Sequence, residues 1–293
     1  MPIIVNRFFI IGNPRSGTTL LRLMLNRHRD LCVPPEAGFL VWLYDRYKNI
    51  SYKKNKMDGF FEDFSRTKKI ENWNLNLNEL KKYVDEEMPP NYSALMDCIY
   101  KFYTLSNLSK SVEFFGDKNN FYLKSIDLLN DLYDDAKFIY IVRDGRSVAA
   151  SYKALNRFSF TSDYAPELPV DTEAIAVEWR DNIAAVNKSL CKLDSQKYYT
   201  IRFEDLVLRP EYFLQEICHF LKVDFDQAML DYFLTTVREG LEPPEFSQWK
   251  SKNTMPLQKD EILKYQSLGD ADLKVFEKIA SVGLSQYQYI SSN

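Results

Sequence analysis

The run from Arg7 to Leu21, Arg-Phe-Phe-Ile-Ile-Gly-Asn-Pro-Arg-Ser-Gly-Thr-Thr-Leu-Leu, constrains the chain more than any other stretch. Phe8 to Ile11 is an apolar run short enough for a buried strand. Gly12 stops it, and a helical apolar pattern starts at Leu20 and Leu21. The turn between them is small, polar and glycine-bearing, and it holds one arginine, Arg15. A strand, a glycine turn and a helix aim backbone N–H groups and the positive end of the helix at one point, an arrangement suited to an oxyanion.

Gly12 and Gly17 share the spacing of the nucleotide-binding P-loop, but Thr18 stands where that motif places lysine. The loop therefore speaks for a phosphate-like anion and against ATP with magnesium. Further strands are expected at Val112–Gly116, Lys137–Val142 and Tyr198–Ile201, with a short extended segment at Asp30–Val33 before Pro34-Pro35. Between Phe39 and about Asn107 the pattern is helical, at Leu40–Tyr47, Phe60–Phe64, Leu80–Val84 and Ala94–Tyr103. Later helices carry Tyr122, Ile126, Leu129 and Leu132; Val148 to Leu155; and Ile175 through Leu193 at spacings of three and four. Pro210 opens another, and a last one through Leu273, Phe276 and Ile279 is expected to stop at Gly283. Short strands alternating with long helices, without hairpin signals, predict an α/β fold with a central parallel sheet covered by helices on both faces. The chain reads as one domain over residues 1–293, with a helical substrate-side insertion at about 39–107.

The totals narrow the function. Of 293 residues, 38 are Lys or Arg and 41 Asp or Glu, a net charge of -3 that argues against a general nucleic-acid binder and makes any anion site a local concentration of cations. Cys32, Cys98, Cys191 and Cys218 show no paired spacing and read as buried thiols of a reducing compartment, with no metal site implied. His28 and His219, the two histidines, read as packing residues. No apolar run approaches the roughly 18 residues of a membrane span, and the first residues make a poor signal peptide, so a soluble, cytoplasmic protein is expected.

In open parallel sheets, ligands bind at the carboxyl ends of the strands. Parallel pairing would bring Arg15, Lys118 and Arg143 to one edge, a place for a ligand with more than one anionic group. After Arg143, Gly145 lets the chain bend into a helix on which Ser147 and Ser151 share a face. A strand-end guanidinium with a helix serine can clasp a phosphate.

The Gly-x-Pro-Arg-Ser-Gly-Thr-Thr loop, followed by Val-Arg-Asp-Gly-Arg-Ser-Val-Ala-Ala-Ser, resembles the sulfotransferases that use 3′-phosphoadenosine 5′-phosphosulfate (PAPS). The resemblance runs from about Phe8 to Leu208, with a weaker tail through Trp249-Lys250, and is strongest to the tyrosylprotein branch and its soluble bacterial relatives. It implies the P-loop nucleotide-binding fold of that family, with Arg15, Ser16, Gly17, Thr18 and Thr19 on the 5′-phosphosulfate and Arg143 with Ser151, eight residues on, at the 3′-phosphate. It further implies that Glu36, 21 residues after Arg15, is the catalytic base, and that Lys118, 25 residues before Arg143, is the catalytic lysine beside a catalytic Arg15. Phe203, where the family often has tyrosine before Glu-Asp, implies a ring at the adenine. Ser247 and Lys250 are candidates for a C-terminal serine and lysine of the branch.

The implied reaction moves a sulfuryl group in line from PAPS, leaving PAP, to an acceptor hydroxyl on a glycan, lipid, small molecule or tyrosine, without metal. A P-loop kinase or nucleoside triphosphatase is the alternative, with Val112–Asp117 as its candidate magnesium-binding strand end. A protein that binds the nucleotide without turnover is a third reading, against which Glu36 counts. Acceptor recognition is expected in residues 39–107 and in the aromatic loop with Phe158, Phe160 and Tyr164.

Overall fold

The computed structural model describes residues 6–108, 112, 114–157, 164, 167–236 and 251–291. Its centre is a sheet of β1 (Asn6–Ile11), β2 (Leu31–Cys32), β3 (Phe114–Lys118), β4 (Lys137–Val142) and β5 (Tyr198–Arg202), in the order β2-β3-β1-β4-β5. Every ladder is parallel, and Ile10 of β1 lies between Lys118 of β3 and Ile139 of β4. From β1 the chain fills one side of the sheet with β2 and β3, then the other with β4 and β5. The end of β1, where the glycine turn begins, is thus a switch point, where such sheets open a crevice.

The unbroken apolar runs have a simple cause. Side chains alternate across a strand, and here both faces are covered. Phe9, Ile11, Phe138, Tyr140 and Val142 enter one core, while Phe8, Ile10, Ile139 and Ile141 enter the other. Fully burying such a side chain contributes about 1.5–3 kcal/mol. Helices Thr18–Asn26, Phe203–Leu208 and Pro210–Leu221 supply the Phe8 side. Helices Tyr92–Asn107, Gly145–Leu155, Thr172–Leu190 and Asp270–Gln286 supply the other. The expected parallel sheet with helices on both faces is the one that forms.

The helical segment between β2 and β3 joins the Phe9 core through aromatic rings. Phe39 meets Trp73 edge-on with centroids 5.0 Å apart, and the Trp73 indole N–H donates to the Pro35 carbonyl at 2.7 Å. That bond anchors the segment beside Glu36. The fully buried Arg7 stacks over Tyr100 at 4.0 Å and its Nε donates to Asp97 at 3.0 Å, tying β1 to helix Tyr92–Asn107.

Several local readings change. The extended segment at Asp30–Val33 contributes an edge strand of two residues. The third strand runs from Phe114 to Lys118, later than expected, because its extent is set by pairing with Asn6–Ile10. Leu40–Tyr47 breaks at Leu43 into two single turns, Phe39–Trp42 and Tyr44–Tyr47. Tyr122 is separated from Ile126–Leu132 at Ser125, its hydroxyl donating to Asp117 Oδ2 at 2.5 Å. The last helix passes through Gly283 to Gln286, because this glycine seats Trp179: a Cβ there would lie 2.8 Å from the indole. Cys32, Cys98 and Cys218 are buried but Cys191 is exposed. His28 is buried and pairs with the Asp224 carbonyl at 2.6 Å, whereas His219 faces solvent. Among the described residues no helix is long and apolar enough to cross a membrane.

Candidate active site

The glycine turn is held open by its backbone and by a buried polar network. Arg15 (φ 67°) and Gly17 (φ 91°) both adopt left-handed conformations, and the Ser16 N–H donates to the Asn13 carbonyl at 3.1 Å. Asn182 Nδ2 donates to Asn13 Oδ1 at 2.6 Å, and Asn13 Nδ2 donates to the Tyr152 hydroxyl at 3.2 Å. The turn delivers the chain directly into helix Thr18–Asn26. Only glycine suits position 17: a Cβ would sit 2.4 Å from the Phe203 ring, and left-handed backbone strain adds about 1–3 kcal/mol. Gly17→Ala is expected to lower the melting temperature by at least about 2–4 °C in thermal unfolding. An unchanged melting temperature would show that the turn relaxes around the added methyl.

Beyond the turn lies a cleft of about 390 Å³ lined, among the described residues, by six Lys or Arg side chains and three glutamates. Arg15, Gly17, Thr18, Thr19, Glu36, Lys118, Arg143 and Phe203, all singled out in the sequence, line it together. Lys118 and Glu36 form an ion pair, Nζ donating to Oε2 at 3.0 Å, with side chains only 2% and 11% exposed. Arg143 donates from Nη1 to the Arg15 carbonyl at 2.9 Å, and its guanidinium lies over the Phe203 ring at 4.4 Å. Desolvation, and then the nearby Arg143 charge, pull the Arg15 guanidinium down to about 10. Two neighbouring cations at such a cost mark a place that favours an anion.

Ser16 and Ser151 lie behind the cleft wall. Ser16 Oγ is buried without a hydrogen-bond partner among the described residues, and Ser151 Oγ accepts from Arg15 Nε at 3.1 Å. Ser247, Lys250, Phe158 and Phe160 lie outside the described residues; Tyr164 lines the cleft. Asp117, the magnesium-ligand candidate of the alternative reading, is buried away from the cleft. Tyr100 and Tyr122 donate to its Oδ2, and Asn119 Nδ2 donates to its Oδ1 at 3.0 Å. Burial raises this carboxyl to about 6, partly countered by those donors. Among the described residues no group of three His, Cys, Asp or Glu side chains could hold a metal ion.

The structure adds residues that carried no sequence signal. Lys69, from the helical segment, places Nζ 3.6 Å from Glu36 Oε1. Glu261 accepts from Arg143 Nη2 at 3.1 Å through Oε2 and at 2.6 Å through its carbonyl, and Lys252 and Lys264 also pair with it. Burial opposes ionisation of Glu261, yet the Lys252 hydrogen bond and the Lys264 and Arg143 charges hold it down at about 2. Its segment is docked on helix Gly145–Leu155, where Ser147 Oγ accepts from the Tyr265 N–H at 3.2 Å. Glu204, of the Phe-Glu-Asp triplet, accepts from the Asp144 N–H at 3.0 Å and fixes the turn after β4.

A glycine turn, a cation-lined cleft and a paired glutamate at the carboxyl edge of a parallel sheet define an α/β protein with a cationic cleft beside a carboxylate. The family is equally specific: a model described as the sulfotransferase family matches residues 7–227, and the chain belongs to that family. It is 26% identical over 236 residues to protein-tyrosine sulfotransferase 1 of Danio rerio, covering 79% of this chain and 56% of that protein. It is 24% identical over 219 residues to nodulation protein NoeE of Sinorhizobium fredii, covering 71% of this chain and 48% of that one. The chain thus spans about half the length of these curated relatives. The fold is shared with the sulfotransferase domain of the Synechococcus PCC 7002 olefin synthase, at TM-score 0.61 and 22% identity over 95% of this chain and 97% of that one. It is shared also with the sulfotransferase domain of the curacin biosynthetic pathway, at TM-score 0.59 and 20% identity over 98% and 99%.

Proposed function

We propose that the chain is a sulfotransferase that moves a sulfuryl group from PAPS to an acceptor hydroxyl, with Glu36 as general base. The observation that carries this reading is the convergence, in one cleft, of the glycine turn, Arg15, the Lys118–Glu36 pair and Arg143. The residues present fit the donor. Ser16 Oγ and Arg143 Nε are buried polar atoms without a hydrogen-bond partner among the described residues, and the turn runs straight into the N-terminus of helix Thr18–Asn26, whose positive end favours an anion. Arg15, Ser16, Gly17, Thr18 and Thr19 would hold the 5′ end, Arg143 and Ser151 the 3′-phosphate, and Phe203 the adenine. The Arg143 guanidinium steadies the Phe203 ring without help from a tyrosine hydroxyl.

When bound, PAPS supplies a sulfur whose bond to the donor phosphate oxygen breaks as a bond to the acceptor oxygen forms. Arg15, Lys118 and the turn N–H groups stabilise charge on the departing oxygen. Glu36 takes the acceptor proton, a contribution of typically about 10²–10⁴-fold. Its Oε2 is paired with Lys118 at 3.0 Å. We read residues 39–107 as an acceptor-side insertion of the same domain. The names of the tyrosine sulfotransferase relatives put a tyrosyl hydroxyl among the candidates, beside glycan, lipid and small-molecule hydroxyls.

A thermal-shift measurement tests the donor. PAP without metal, at about one hundred times its dissociation constant, should stabilise the fold by about 2.7 kcal/mol. ATP with magnesium should leave the melting temperature in place. Stabilisation by ATP with magnesium alone would replace this reading with phosphoryl transfer.

A further inference from the structure

Lys118 faces two demands with one ammonium group. It is the nearest cation to Glu36, yet the proposed reaction directs it toward the charge that builds on the donor oxygen. A carboxylate left without a counter-ion in a partly dry cleft is costly and tends to take up a proton. A protonated Glu36 is no longer a base.

The structure supplies a second cation at the other oxygen. Lys118 pairs with Oε2, while Lys69, from the helical segment, lies 3.6 Å from Oε1, with its side chain 20% exposed. Lys69 follows helix Lys54–Ser65 in a turn with φ 72° and ψ 5°, a left-handed conformation that lysine adopts at a cost of about 1–3 kcal/mol. The turn is closed by the Ile70 N–H donating to the Thr67 carbonyl at 3.2 Å. Glycine would satisfy that backbone without strain. Among the described residues, Arg15, Lys68, Arg143, Glu167, Lys252 and Glu261 are the other charged groups lining the cleft. Burial pulls the Lys69 ammonium below its usual range, and Glu36 opposes that pull.

We propose that Lys69 is a positioning residue for the base, the counter-ion that keeps Glu36 ionised and oriented while Lys118 attends the donor. This inference rests on the proposed sulfuryl transfer and assigns a role to the helical segment in the chemistry as well as in acceptor contact.

The test uses PAP as the donor-site probe and needs no acceptor. Protein carrying ¹³C-labelled glutamate is titrated by NMR with PAP bound, and the Glu36 carboxyl signal is assigned by its loss in Glu36→Gln. Lys69→Met should raise the Glu36 titration midpoint by about one pH unit or more, and Lys69→Arg should restore it. PAP affinity should stay within about twofold of the native value in both variants, since the proposal assigns Lys69 to Glu36 and not to the donor. Lys69→Gly provides a variant that relieves the turn: its melting temperature should hold or rise while the Glu36 midpoint moves as in Lys69→Met. A Glu36 midpoint unmoved by both Lys69→Met and Lys69→Gly would overturn the proposal. So would a large loss of PAP affinity in Lys69→Met, which would assign the lysine to the donor instead. Failure of PAP to bind native protein would overturn the donor reading itself, a separate result seen before any variant is made.

Discussion

Glu36→Gln is expected to reduce kcat by about 10²–10⁴-fold while retaining PAP binding. The rate would be measured with PAPS and the first acceptor found in a screen with isotope-labelled donor. The amide keeps the size of the carboxylate and can still accept from Lys118, but it cannot take the acceptor proton. The substitution also removes the charge opposite a lysine that is only 2% exposed. Breaking such a pair by deleting one partner costs about 3–5 kcal/mol, less where a hydrogen bond survives. Lost activity could therefore follow from lost structure, and the PAP-induced rise in melting temperature separates the two. A variant that PAP stabilises normally but that does not turn over supports the base. Native turnover in that variant would remove Glu36 from the chemistry.

The second large effect is a gain. Glu261→Gln is expected to bind PAP about tenfold more tightly than the native chain, as read by calorimetry. The native carboxylate occupies the Arg143 guanidinium that the 3′-phosphate would use, with Lys252 and Lys264 on the same group. Removing it restores roughly one charged hydrogen bond to the ligand, about 1.5 kcal/mol. Because the segment is docked through Ser147 and by the Glu261 carbonyl on Arg143, exchange requires only the Glu261 side chain to move. Weaker PAP binding in the variant would show that Glu261 supports the nucleotide instead of competing with it.

The same carboxylate sets a pH dependence. Its folded value near 2 lies below its ordinary 4.5, so the folded state binds the proton less readily than the unfolded chain. Its stabilisation is fully present above about pH 4.5 and is lost as pH falls toward 2. The amount is on the order of 3 kcal/mol. Denaturant unfolding of the ligand-free protein between pH 5 and 3 should show about half of this loss, which Glu261→Gln should abolish. An equal acid slope in the variant would place the titration elsewhere.

Much of this site was legible before folding. The apolar run Phe8–Ile11, its glycine stop and the helix after it are short-range patterns, and β4 at Lys137–Val142 is equally local. The charged residues at strand ends followed from the same reading. The edge strand Leu31–Cys32 was harder to read: two residues carry no period, and their pairing with Phe114 and Phe115 makes them a strand. Gly283 was misread because a glycine that seats Trp179 and one that ends a helix look alike along the chain. Asp117 resembled a metal ligand until the hydroxyls of Tyr100 and Tyr122 were seen to hold it.

By itself, the sequence determined the chemistry of the turn: glycine where φ must be positive, arginine beside it, and a helix whose first N–H groups have no partner behind them. These depend on neighbours within a few residues, where dihedral preference and apolar period act. Only the tertiary structure decided which of 38 basic residues meet in the cleft. Lys69 stands 33 positions from Glu36, and Glu261 stands 118 from Arg143; along the chain both look like any solvated charge. Their meeting depends on strand order and on the docking of distant segments. Those are set by burial summed over the whole core, and no local pattern records them.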